Sequence, residues 1–170
     1  MKRFTLLFAF LCLLSTISFS QDSKYGHLNI GNIVSTLPAT KAANSELKAY
    51  QEQLVTKGEE MATNFEEEYA DFVTKAQGGD LSPKQQEERQ SYLQKKQQEI
   101  IAYEQEITQK VQQKRQELLT PILVKVEEAI DQVARENGYA MIFDTSAFNA
   151  VLYVKDSDDI ADLVKTKLGI

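Results

Sequence analysis

Four groups of residues carry side chains that could do chemistry, and each resolves into an ordinary structural role. Asp156, Asp158 and Asp159 have the density of a calcium loop. An EF-hand starting at Asp156 needs Gly at its sixth position and Glu at its twelfth, where this chain has Ala161 and Lys167. Helix capping is the expected role of these aspartates. Glu66, Glu67 and Glu68 are consecutive, and on a helix consecutive residues point in different directions, so they form no paired-carboxylate site. His27 is the only histidine, with no partners nearby in sequence for a triad or a metal site, and is expected at a strand edge. Gly78-Gly79 lacks the strand and helix context of a phosphate loop and reads as a turn. No nucleophile–base pair, metal-ligand spacing or cofactor signature stands out, so neither an enzyme nor a cofactor is expected.

What does recur is a row of large side chains at helical spacing. Met61, Phe65, Tyr69 and Phe72 lie in the first half of the chain, and Tyr92 and Tyr103 in the second. Such rings fill the seam between two helices or line a surface that binds something else, and a thin seam cannot bury them completely.

Two long helices must carry that row. From Leu47 to Ala76 apolar or small residues recur at steps of three and four, one stripe on an α-helix. Leu93, Ile100, Tyr103, Ile107, Val111 and Leu118 continue the spacing in a second arm, with eleven Gln between Gln85 and Gln116. Thin stripes among good helix formers suit an extended two-helix coil rather than a globular core. At the tip, residues 78–83, Gly78-Gly79 can stop one helix while Ser82 and Pro83 start the next. Each arm is about 55 Å long at 1.5 Å per residue, so the hairpin projects.

Around the hairpin the pattern changes. Residues 1–20 combine Lys2-Arg3, an apolar run from Phe4 to Leu14 and the small residues of Ser18-Phe19-Ser20. That is the pattern of a cleavable secretory signal, with cleavage expected near Ser20/Gln21. Leu11 before Cys12 is too large for a lipobox. Cleavage would remove the one cysteine and leave no disulfide chemistry. Residues 26–34 alternate and read as a strand. Thr120-Pro121 should kink or restart the second helix. Tyr139–Asp144 and Ala150–Val154 read as strands able to pair as a hairpin, and Ile160–Leu168 as a short amphipathic helix.

The expected fold is α+β: a long antiparallel helical-hairpin coiled coil (residues 40–120) inserted in a small β-sheet body built from 21–39 and 121–170. Such a body has few core residues and is marginal alone, so a homo-oligomer is expected. The net charge is −6 and becomes −8 without Lys2 and Arg3. This acidity argues against nucleic acid as a partner and against attraction to anionic membrane surfaces.

The order of elements, closing with Pro121-Ile122, Ala129-Ile130, Gly138-Tyr139, Ile142-Phe143-Asp144, Leu152-Tyr153-Val154 and Asp159-Ile160, resembles the Skp/OmpH family of periplasmic chaperones. The resemblance covers nearly all of the chain after residue 20. It implies a homotrimer whose strands associate into a β body, with Leu28, Ile30, Ile33, Met141, Ile142, Phe143, Val151, Leu152 and Tyr153 in the oligomerisation region. It also implies three tentacles enclosing unfolded outer-membrane β-barrel proteins without ATP. Met61, Phe65, Tyr69, Phe72, Tyr92 and Tyr103 are then the expected client contacts. The best-known family member is strongly basic and this chain is acidic. The alternative from another class is a structural or adaptor coiled coil of the cell envelope that bridges folded partners.

Overall fold

The computed structural model describes residues 23–148 and 150–170. The signal segment expected at 1–20, with Cys12, lies outside the described residues. The elements run β1 (Lys24–Leu28), α1 (Ile30–Thr36), α2 (Pro38–Gly78), α3 (Pro83–Asn137), β2 (Tyr139–Asp144), a 3-10 turn at Asp156–Asp158 and α4 (Ala161–Leu168). The fold is α+β, with α2 and α3 forming one antiparallel hairpin and the remainder gathered at its base.

The two arms begin and end where local chemistry dictates. Pro38 stands at the start of α2. At the tip, Gly79 adopts φ 78°, its N–H meets the Ala76 carbonyl, and the Asp80 N–H reaches the Lys75 carbonyl at 3.0 Å. This pair of bonds satisfies carbonyls that a helix end leaves open, and it needs a left-handed residue that glycine supplies without strain. Ser82 and Gln85 then form a reciprocal capping box in front of α3, with Pro83 in the first turn.

The core lies at the base. Leu28, Ile33, Val126, Ile160 and Val164 are fully buried, and Leu37, Ala43, Ile122, Ala129 and Val133 pack with them. Ile122, Val126, Ala129 and Val133 are spaced four, three and four apart, so the last third of α3 turns one apolar stripe into the body. Each of these residues is removed from water, and a Leu- or Ile-sized side chain contributes roughly 1.5–3 kcal/mol by burial. One end of the chain supplies β1 and α1 and the other β2 and α4, so this core forms only when both ends meet.

Four expectations are corrected. The strand read over 26–34 ends at Leu28, and Ile30 and Ile33 belong to a helix. Asn29 caps that helix through a 2.8 Å bond from Asn32 N, while Asp144 Oδ1 accepts from Ile30 N at 3.2 Å. Alternation over nine residues fitted a strand, but Ile30 and Ile33 also satisfy the i, i+3 spacing of a helix, and the cap decides between them. The kink or restart at Thr120-Pro121 does not break α3, which is assigned continuously from Pro83 to Asn137 with Pro121 inside it. Pro121 is exposed, and Leu118 and Ile122 on either side pack toward the core.

The strand expected at Ala150–Val154 is irregular among the described residues, so β2 has no hairpin partner there. Instead β1 and β2 pair in parallel, Tyr25 opposite Met141 and Leu28 opposite Asp144. A parallel pair requires a crossover connection, and here the whole hairpin is that connection. A register shift beside Lys24 moves the partner from Tyr139 to Met141. It leaves Tyr139 and Ile142 packed toward the core and Met141 and Phe143 exposed. A Cβ on Gly26 would lie 3.0 Å from both the Ile160 Cγ2 and the Tyr139 ring, so this strand position admits only glycine without repacking.

Candidate functional site

Of the residues singled out for chemistry, His27 and Asp159 have structural partners, while Glu66, Glu67 and Asp156 are exposed. His27 is buried on β1, and its Nε2 donates to the Lys155 carbonyl at 3.0 Å. The next turn reaches back, Ile160 N to His27 O at 2.9 Å, so β1 lies between β2 and the 155–160 segment instead of at an open edge. Asp159 Oδ1 accepts from Ala161 N at 2.8 Å just ahead of α4, although the N-cap position itself is Ile160, which makes no side-chain cap bond. Among the described residues no group of three His, Cys, Asp or Glu is placed to hold a metal ion. Nor is any helix among them long and apolar enough to cross a membrane. Asp144 ties the two ends of the body together. Burial pushes its carboxyl upward, but bonds from Ser146 Oγ, Ser146 N and Ile30 N outweigh that and hold it below the ordinary aspartate range.

The large side chains on the arms separate into three settings. Tyr103 sits in the seam, 7% exposed, with its hydroxyl on the Leu54 carbonyl at 3.3 Å and its ring 3.7 Å from where a Cβ on Gly58 would stand. Gly58 lies under the ring at a distance that would be ordinary packing even for a Cβ, and Met61 is half-buried one turn further along. Phe65, Tyr69 and Phe72 line one flank of the hairpin, in a groove of about 520 Å³ whose other wall is mainly Gln90, Gln94 and Gln97, with Glu87 at one end. Phe65 and Tyr69 stack with ring centres 6.1 Å apart, and Tyr69 remains 52% exposed.

Tyr92, 40% exposed, lies on the opposite flank. Its hydroxyl donates to Glu68 Oε1 at 3.4 Å across the seam, and Arg89 and Lys96 stand 5.6 and 5.5 Å from its ring centre. That flank is ionic elsewhere too. Asp71 reaches Lys75 at 2.9 Å and Arg89 at 3.6 Å, and Lys114 joins Glu46 at 2.9 Å to Glu117 at 3.4 Å. The hydrogen bond to Glu46, with that to Glu117 behind it, holds Lys114 above the usual lysine range against a lowering from burial.

The body carries a second exposed surface. Tyr25, Met141 and Phe143 project from the outer face of the β1–β2 pair. Leu152 and Tyr153 stand 90% and 84% exposed on the following segment, and together with Phe143 they line a groove of about 610 Å³. Of the residues expected in an oligomerisation region, Leu28 and Ile33 are consumed by the chain's own core, and Ile30 and Ile142 pack against it. Val151 is half-buried. Met141, Phe143, Leu152 and Tyr153 are the ones left open to solvent.

Counting residues did not reveal the glutamine wall. By composition alone the eleven Gln of that arm are only good helix formers. Sorting them by helical angle relative to the seam would have separated a neutral flank from an ionic one.

A pair of long helices projecting from a small body closed by both chain ends defines a tentacle-bearing architecture. The chain matches the sequence model of the family described as Outer membrane protein (OmpH-like) over residues 24–168, and it belongs to that family. A crystal structure of a candidate outer membrane chaperone (OmpH-like) from Caulobacter crescentus CB15 is similar to it, with a TM-score of 0.73. The two share 19% identity over 86% of this chain and 83% of the other. Comparison with curated protein sequences finds no match.

Proposed function

We propose that this protein is a periplasmic, ATP-independent holdase that keeps outer-membrane β-barrel proteins unfolded and soluble, working as a homotrimer with its hairpins around a shared cavity. Residues 1–20 are the export signal in this reading. The observation that carries it is the division of an OmpH-like chain into a cored base and a long hairpin with little core of its own. A holdase without an energy source must bind weakly at many points. Scattered aromatic and aliphatic side chains on long arms supply many weak contacts inside one enclosure, where effective concentration is high.

The trimer is supported by the open body face. Tyr25, Met141, Phe143, Leu152 and Tyr153 form an apolar surface that one chain leaves wet, and such surfaces mark association sites. The outer edge of β2, and the irregular Val151–Val154 segment once straightened, could take strand partners from neighbouring subunits. The net acidity argues against anionic lipid as a partner.

The test is light scattering of a urea-unfolded outer-membrane β-barrel protein diluted into buffer, with and without this protein and with no nucleotide. In-line mass determination on a sizing column follows. Suppressed aggregation with three subunits per client is expected. Undiminished aggregation for several unrelated clients would overturn the reading and direct attention to an adaptor that bridges folded partners.

A further inference from the structure

The two flanks of the hairpin differ in charge along most of its length, and the difference has a matching ligand. On α3, Gln90, Gln94, Gln97, Ile101, Thr108 and Gln112 are separated by steps of four or three, or seven, and all are exposed. Their spacing keeps them on one side of the helix. The first three share their groove with Phe65, Tyr69 and Phe72. On α2 the exposed Val55 and the half-buried Ala62 precede Tyr69 at seven-residue steps. Glu87 is the one carboxylate that lines the groove, and Glu59, Glu66 and Glu104 border the stripe; no lysine or arginine lies within it. On the other side of α3 the same periodicity collects Arg89, Lys96, Glu99, Glu106, Lys110 and Glu117.

A glutamine amide both donates and accepts hydrogen bonds without charge. That is the complement of a polypeptide backbone whose N–H and C=O groups have lost their strand partners. Aromatic and aliphatic neighbours at intervals accommodate alternate side chains of an extended segment. A charged flank does the opposite, since an apolar segment laid on it must desolvate ions. The length also fits. From Gln90 to Gln112 is about 33 Å along the helix. At about 3.3 Å per residue this is roughly ten residues of extended chain, and a membrane-spanning β-strand has about 9–11.

We propose that the neutral flank of each hairpin is the client surface, and that it takes one extended, uncharged strand-length segment of an unfolded β-barrel protein. The ionic flank instead carries the inter-arm pairs and keeps the hairpin soluble. This rests on the chaperone reading above and adds the side of the arm that does the binding.

The test places a thiol-attached photo-crosslinker at Gln97→Cys or at Glu99→Cys, in a Cys12→Ser background. The two positions are at nearly the same height on opposite flanks, and both are exposed. With a urea-unfolded β-barrel client, position 97 is expected to capture at least about five times as much as position 99. Equal yields, a higher yield at 99, or capture at neither while the unlabelled protein suppresses aggregation would overturn the flank assignment alone. Failure of the unlabelled protein to suppress aggregation would overturn the chaperone reading and this inference with it. As a second measurement, Gln94→Glu with Gln97→Glu should weaken client binding about tenfold with helicity and subunit mass unchanged. The charge-removing Glu99→Gln should leave binding within twofold. Equal effects from the two changes would also refute the assignment.

Discussion

The body and the hairpin obey different rules of stability. In the body, five side chains from β1, α1, α3, α4 and the turn before it are removed from water almost completely. In the hairpin beyond it, Leu47, Leu93 and Tyr103 are the buried residues, separated by seam positions such as Leu54, Ile100, Ile107 and Val111 that are only half-buried. The body is therefore a single cooperative unit that needs both chain ends. The hairpin is a pair of helices held at separate levels, by Tyr103 on Leu54 in the middle and by ion pairs toward the tip and the base. Open arms on a closed base are the arrangement expected of a protein that must adapt its contacts to many shapes, because regions with few buried contacts open at low cost.

Breaking the body should have the largest effect. Leu28→Ala removes a fully buried side chain from the core cluster that also holds Ile33, Ile160 and Val164, and should cost about 2–5 kcal/mol. Urea unfolding followed by circular dichroism would read this as a lower midpoint for the whole chain. If the midpoint stays in place, the base is not one cooperative core.

Tyr103→Ala attacks the hairpin at its middle level. The seam is narrow and wet on both sides, so the cost should be at or below the low end for a buried aromatic, about 2–3 kcal/mol. Hydrogen exchange should speed up around Leu54 and Tyr103 while amides of β1 and β2 stay protected. Faster exchange in the body as well would contradict the separation of the two regions.

Gly58→Ala should act in the reverse direction. A Cβ there meets Tyr103 and Ile107 at 3.7–3.8 Å, an ordinary packing distance, and the residue lies inside a helix where alanine is favoured by roughly 0.5–1 kcal/mol. The arm should exchange more slowly and the chaperone activity should fall if arm mobility matters. Spin-label distances between arms would show a narrower distribution.

The smallest effect concerns acid. Because the Asp144 carboxyl sits below its ordinary value, its contribution to stability is fully present above about pH 4 and is lost as pH falls through the depressed value. Asp144→Asn keeps an acceptor for Ile30 N, so at pH 7 stability should change by only about 0.5 kcal/mol. Its distinguishing result is a flatter loss of stability below pH 4 than in the parent protein. A parallel acid limb in both would mean that other carboxylates govern that range.

Much of the hairpin was legible because its signals are local. Gly79, Ser82, Pro83 and Gly138 act through backbone angles and caps that involve only a few neighbours, and the apolar spacing of the arms needs no knowledge of what it packs on. The aromatic row was legible as a list and illegible as a site. Phe65, Tyr69 and Phe72 share a groove, while Tyr92 faces ions and Tyr103 is enclosed. Those fates depend on the rotation of one helix about the other.

The sequence by itself determined two capped helices, the turn between them, the strand Tyr139–Asp144 and the short last helix, since periodicity and capping are written within a few residues of each other. Only the tertiary structure decided that β1 stops at Leu28, where Asn29 and Asp144 together start a helix in place of more strand. It also decided that Pro121 remains within α3 and that β1 pairs with β2 in parallel across the hairpin. Among the described residues Val151–Val154 likewise has no strand partner. The bond from Ile30 N to Asp144 and the β1–β2 pairing are contacts between residues far apart in the chain, and the free energy of such a contact exists only once both partners are in place.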